Sequence, residues 1–317
     1  MIKHYEGILG NFDYDTEVWE LDEDESSLHY IGDSEKVVLP EGCTSCRRMF
    51  EGLSSVRKLD LSDFDTSEVT DMAYMFYRCD ILKELDVTHL NTSKTTNMSH
   101  MFRACTQLKT IDVSNFDTSK VERMDGMFAN CNMLKSLDLS NFDTRNVKNF
   151  RCMFMNCGNA EKIDVSSFDT SNAENLESMF SSCLKLKELN VENFKTLKCV
   201  DFSHMFAHCE DVKVLNVKNF DTRIAKDLEG MFRACKSITK LNLDSFRTSD
   251  AEIIDSMFVK CYKLTEIHIS NFTTNHIKNL KESPFRLCKH LKAVYVDEKK
   301  CKNILSTLPE NVLVFHD

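Results

Sequence analysis

Apolar and polar positions along this chain recur as one unit. A Met-Phe pair falls at Met49, Met75, Met101, Met127, Met153, Met179, Met205, Met231 and Met257, a constant 26-residue step. A Cys stands three residues after the Phe from Cys79 to Cys261, with Leu53 in that slot of the first copy. A tenth copy is degraded to Pro284-Phe285 and arrives one residue late, its Cys at Cys288. Leu59/Leu61, Leu85/Val87, Ile111/Val113 and their successors to Ile267/Ile269 alternate with polar residues, the period of a short strand with one buried face. Val121, Met124, Met127/Phe128 and Cys131 recur at steps of three and four, which predicts a short helix or helical turn with one apolar stripe. Phe64, Phe116, Phe142 and their equivalents plug the bend leaving each strand. The Thr column from Thr66 to Thr274 lies between strand and helix, where a hydroxyl can satisfy backbone N–H groups as a turn or N-cap. Ser119-x-x-Glu122 and Ser171-x-x-Glu174 read as capping boxes on that view.

One such unit cannot bury its apolar edge alone, whereas stacked copies form a continuous core, so the pattern predicts a solenoid. The expected fold is an α/β repeat of leucine-rich-repeat type. It has about ten 26-residue rungs, a parallel sheet on one face and short helices or helical turns on the other. The expected organisation is an acidic N-terminal β-hairpin cap over 1–40, the solenoid over 41–296 and a C-terminal cap over 297–317. The repeat string MFxxCxxLxxLDLSNFDTSxV resembles that of the BspA-like leucine-rich-repeat proteins, a bacterial and protist family that includes mycoplasma-type surface-protein repeats. The resemblance spans roughly residues 37 to 296. It implies a leucine-rich-repeat solenoid and a binding role, often adhesion at a cell surface.

Charge changes the picture at one end. Residues 1–40 hold 11 Asp and Glu against 2 Lys, a balance of −9 in a chain whose total is −10. Trp19–Leu21 and Leu28–Ile31 read as two strands around the acidic turn 22–27, a hairpin that covers the first rung. The acidic balance speaks against nucleic-acid binding by phosphate neutralisation. No run of 18 apolar residues is present, so membrane insertion is not expected, and the acidic N-terminus lacks the apolar h-region of a signal peptide. With cysteines that read as buried reduced thiols, the expected location is cytoplasmic, with the cell surface as the alternative implied by the resemblance. A monomer is expected.

Candidate chemistry is sparse. Cys43-x-x-Cys46 matches a zinc or redox spacing, yet both fall in apolar slots of the repeat, one period before Val69 and Met72. His204 and His208, beside Cys209, have helical metal-ligand spacing, and Cys152 and Cys301 are the two thiols expected to be accessible. They support an alternative metal-binding or enzymatic reading. A self-assembling structural repeat is a third. No nucleophile elbow, phosphate loop or zinc-protease motif occurs, so no enzyme activity, cofactor or metal is expected. The informative surface is the outward column of the strands: Asp60, Asp86, Asp112, Asp138, Asp164, then Asn190, Asn216, Asn242, then His268 and Tyr295. Five stacked carboxylates repel, each pair by about 1 kcal/mol in a water-like dielectric. The adjoining column Arg57, Lys83, Lys109, Lys135, Glu161, Lys187, Lys213 is expected to offset this through cross-rung salt bridges. A graded strip on a rigid concave sheet is expected to read a protein partner, as scaffold, effector or adhesin.

Overall fold

The computed structural model describes residues 1–277 and 280–316; positions 278, 279 and 317, within the expected solenoid and C-terminal cap, lie outside the described residues. Two antiparallel hairpins open the chain, β1 (Ile2–Gly7) with β2 (Gly10–Asp15) and β3 (Trp19–Leu21) with β4 (Leu28–Tyr30). The first of these has no counterpart in the expectation from sequence. Its alternation buries Tyr5, Phe12 and Tyr14 on one face. Trp19 and Tyr30 of the second pack against Phe50 at 6.5 and 5.7 Å between ring centroids, closing the core of the first rung.

The solenoid follows. Parallel bridges link Ser45 to Asp71, Asn97, Arg123, Asn149, Asn175, Asp201, Asp227 and Ile253, each one period from the last. All of these lie in the Met-Phe segments, and so does the dense hydrogen bonding. Between two neighbouring segments, for example, the N–H groups of Met72, Tyr74, Phe76 and Arg78 donate to the carbonyls of Asn97, Ser99, Met101 and Arg103, while Thr96 N–H donates back to Thr70. The strand side is thinner. Among the described residues, three-residue strands form there at β5 (Ser136–Asp138), β6 (Lys162–Asp164), β7 (Lys240–Asn242), β8 (Glu266–His268) and β9 (Ala293–Tyr295), followed by α1 (Glu298–Leu305) and β10 (Leu313–Phe315). They pair in parallel as β5–β6 and β7–β8–β9–β10. A strand-bearing sheet across ten rungs is therefore not what forms. Ring spacing differs between the two sides. The Phe rings of the Met-Phe column stack 5.3–6.1 Å apart from Phe50 to Phe285. Those after the strands stand 6.1–6.5 Å apart in the four pairs Phe142–Phe168 and Phe194 through Phe272. The rings stand closer on the Met-Phe side than on the strand side.

The return segments are not helices; among the described residues α1 is the one α-helix. Two positions of each of the nine Met-Phe repeats have positive φ. One column runs from Arg48 and Tyr74 to Ser256 at 55–61°, the other from Gly52 and Arg78 to Lys260 at 57–64°. A right-handed helix cannot pass through such residues, and each non-glycine costs about 1–2 kcal/mol. The inter-rung hydrogen bonds offset that cost, because alternate N–H groups now point along the solenoid axis. The expected capping box dissolves accordingly: Glu122 N–H donates to the Thr96 carbonyl one rung away. Gly126 and Gly230 in the first column sit one repeat after His100 and His204, whose imidazole Nδ1 atoms occupy the space a Cβ would need.

Three side-chain columns clamp rung to rung. From Thr66 to Thr248 each column hydroxyl donates to the carbonyl and accepts the N–H of the residue 25 positions on, as Thr144 does with Asp169 at 3.0 and 2.8 Å, and Thr274 donates to the Asn303 side chain instead. Asn115, Asn141, Asn193 and Asn219 donate their amides to carbonyls of the preceding rung. The ladder thiols from Cys79 to Cys261 donate to the Phe carbonyl 29 residues earlier, Cys131 to Phe102 at 3.1 Å and Cys157 to Phe128 at 3.2 Å, and Cys288, one residue late, donates to Phe258, 30 residues earlier. Cys301 repeats this with Phe272 at 3.2 Å. It is buried, as is Cys152 at 9% exposure, which corrects the expectation that both are accessible. Burial pushes the thiols up, to about 12 for Cys79, Cys157, Cys235 and Cys288. Because the thiolate is the reactive form, native protein at pH 8 should react slowly with a thiol reagent at all fourteen cysteines and quickly once unfolded. Rapid native labelling of Cys152 or Cys301 would place that residue at the surface.

Candidate functional site

The outward strand column lies where the repeat places it, and its acids have a local task. The carboxylate Oδ1 of Asp60, Asp86, Asp112, Asp138 and Asp164 accepts the N–H of the residue two positions on at 2.9–3.0 Å. Asn190, Asn216 and Asn242 do the same at 2.9–3.2 Å. These are Asx turns, which bend the chain out of the strand. Hydrogen bonds from the Ser or Thr two residues on hold all five carboxyls below the ordinary aspartate range. The column therefore stays ionised near neutrality. The adjoining basic column contributes less than expected. Lys187–Glu161 at 2.7 Å is its one ion pair among the described residues, while Lys162 reaches Asp164 at 3.6 Å from β6. The repulsion is offset by hydrogen bonds within each turn, which do not reach across rungs.

The change from Asp to Asn therefore keeps one backbone role and alters only charge. The end of the column differs in kind. His268 stacks on Tyr295 at 4.1 Å and Tyr295 on Phe315 at 4.8 Å, three half-exposed or exposed rings on β8, β9 and β10. Glu266 and Asp244 approach the His268 ring at 3.3 and 3.8 Å. Phe315 lies outside the 26-residue period, so repeat alignment gives no signal for it; the return of β10 beside β9 brings it to the ladder.

The remaining candidates are dispersed. His204 and His208 occupy two different positive-φ columns, and burial lowers the affinity of His208 for a proton. Cys43 and Cys46 are buried, with burial raising Cys43 to about 11. Among the described residues no group of three or more His, Cys, Asp or Glu side chains is placed to hold a metal ion. None of the described helices is long and apolar enough to cross a membrane.

A family model described as "Mycoplasma protein of unknown function, DUF285" matches residues 44–163, 111–214, 132–238 and 185–295. No curated protein matches the sequence. Among solved structures the chain is similar to a leucine-rich repeat protein from Bacteroides ovatus, with 14% identity, a TM-score of 0.35, and 96% of this chain and 99% of that one covered. It is also similar to a leucine-rich-repeat protein of Leptospira interrogans, at 12% identity and a TM-score of 0.33 over 82% of this chain and 72% of that one. A Listeria monocytogenes internalin follows at 9% identity and a TM-score of 0.31, covering 92% and 84%.

Proposed function

This chain belongs to the DUF285 family of BspA-like leucine-rich-repeat proteins, and from that premise we propose that it is a non-enzymatic solenoid that binds a protein partner on its strand face. The carrying observation is the outward column from Asp60 to Tyr295, whose side chains grade from acid to amide to stacked rings over a repeating backbone. A rigid frame loses little entropy on binding, so specificity can rest on the varied side chains. Read as ten rungs at strand spacing, the array would offer a strip of about 45 Å. An intracellular scaffold or effector fits the buried, carbonyl-bonded thiols better than an adhesin does.

The test replaces Asp86, Asp112 and Asp138 together by Asn. Asn190, Asn216 and Asn242 show that an amide oxygen keeps the turn, so this variant removes charge without removing structure. Captures from native-cell lysate and from surface extract, run with wild type and variant, should show a partner that the variant loses. Unchanged capture would move the site to another face, and a partner found only in surface extract would make the protein an adhesin. The five carboxyls also set an acid signature. Their folded pKa values lie below the unfolded one of about 3.9, so their contribution is fully present above that value and is lost as pH falls through the lowered values. The Asn variant should lose less stability than wild type over that acid window.

A further inference from the structure

Because the repeat shows which residue each slot ordinarily holds, departures from it can be located. One stands out on the corner turns built around the Thr column. In most copies that turn opens with an Asx residue whose side-chain oxygen accepts the N–H two residues on, as for Asp65, Asn91, Asp117, Asp143, Asp169 and Asp221 at 2.9–3.2 Å. Lys195 takes this place in one copy and cannot accept. Arg247 also breaks the rule, but its turn tip stays polar with Ser249 and Asp250. The Lys195 turn instead exposes Leu197 (55%) and Val200 (41%), and the next turn exposes Ile224 (41%). The other eight repeats carry Ser or Arg at the Leu197 slot except where Asn275 stands. In the seven other copies from Thr66 to Thr248, the slots of Val200 and Ile224 hold only polar or charged residues.

The backbone does not explain the change. Thr196 still clamps Asp221 at 2.9 and 2.7 Å, Cys199 N–H still donates to Thr196, and Lys226 N–H still donates to Val200. A turn hydrogen bond has thus been given up and apolar surface exposed with no structural gain. Such local violations mark functional sites.

Charge identifies the kind of occupant. Residues 195–200 and 221–226 hold Lys195, Lys198, Arg223 and Lys226 against Asp221, a balance of +3 in a chain of −10. Arg223 pairs with Asp221 at 2.7 Å, Lys226 with Glu252 at 3.7 Å, and Lys198 donates to Asn172 at 2.7 Å. The Lys195 ammonium makes no ion pair within 4 Å among the described residues, and its charge acts on the Asp169 carboxyl one rung away. No aromatic ring is present among these residues to stack a base. We propose that the turn tips formed by Lys195, Leu197, Val200 and Ile224 are a docking site for an acidic segment of a partner protein that carries apolar side chains among its carboxylates. This rests on the protein-binding reading above but assigns the contact to a different edge of the rung.

The probe is a fluorescein-labelled ten-residue peptide alternating Glu and Leu, titrated by anisotropy against the full chain, with a Glu/Ser peptide as comparator. The Glu/Leu peptide should bind at least ten-fold tighter than the Glu/Ser one. Leu197→Ser with Ile224→Asn, which install residues native to those slots elsewhere, should weaken it at least ten-fold with unchanged circular dichroism. Lys195→Asp should also weaken binding while raising Tm, because the turn regains its acceptor. Equal affinity for the two peptides, indifference to all three substitutions, or binding of anionic phosphatidylserine vesicles in place of the peptide would overturn the site. The two ideas fail separately: a silent peptide alongside a partner lost by the Asp86/Asp112/Asp138 variant removes this site and leaves the strand-face reading intact.

Discussion

Phe154→Ala should destabilise the protein by about 3–5 kcal/mol and split its unfolding into two steps. Phe154 is fully buried, and its ring lies 6.1 Å from Phe128, 5.4 Å from Phe180 and 6.4 Å from Phe168. Truncation removes the transfer energy of one ring and leaves a cavity that touches both neighbouring rungs. A stack in which each rung contacts only its neighbours has no other route for coupling, so the two halves of the array should then melt at different denaturant concentrations. Phe285→Ala, at the end of the same column with Phe258 as its one ring neighbour among the described residues at 5.4 Å, should fray the C-terminal rungs and leave the main transition cooperative. Guanidinium unfolding followed by circular dichroism, with hydrogen exchange to locate the first segment to open, distinguishes the two. A single transition with a loss under about 1 kcal/mol for Phe154→Ala would mean that the ring column does not couple the rungs.

Thr144→Val is expected to cost about 2–6 kcal/mol, a large penalty for a nearly isosteric change. The hydroxyl is buried, donates to the Asp169 carbonyl and accepts the Asp169 N–H. Val fills the same space and strands both backbone groups, each worth about 1–3 kcal/mol when left without a partner. Thr144→Ser keeps the hydroxyl and loses a methyl, for about 1 kcal/mol. A Val variant as stable as the Ser variant, measured by equilibrium unfolding, would show that Asp169 is satisfied some other way and that the Thr column is packing alone.

The Thr column also marks how far the sequence could be read. Its regular spacing, its place beside the strand and its use for backbone N–H groups all follow from the pattern. That the groups it serves belong to the next rung does not, because the offset of 25 residues is a property of the stack. The cysteines behave alike: their slot identifies them as core, but their donation to a carbonyl 29 residues back requires the rung above to be in place. The Met-Phe segments were the hardest to read. Inward residues at steps of three and four fit an amphipathic helix and fit equally a chain with a left-handed residue every four positions. Glycine would have distinguished the two, yet it stands only at Gly52, Gly126 and Gly230 in those columns.

What the sequence determined by itself is the period, the identity of the buried columns and the solenoid, because burial follows from hydrophobicity and repetition alone. What only the tertiary structure decided is which side carries the dense hydrogen bonding, which side has the closer rings, and which polar residues are committed to turns. Those depend on where backbone N–H groups point once the rungs are stacked. An Asp in a list of outward residues cannot be told from an Asp that holds its own turn until the turn is formed. The same knowledge exposes Lys195, where a turn has lost its acceptor and apolar side chains stand at the surface in its place.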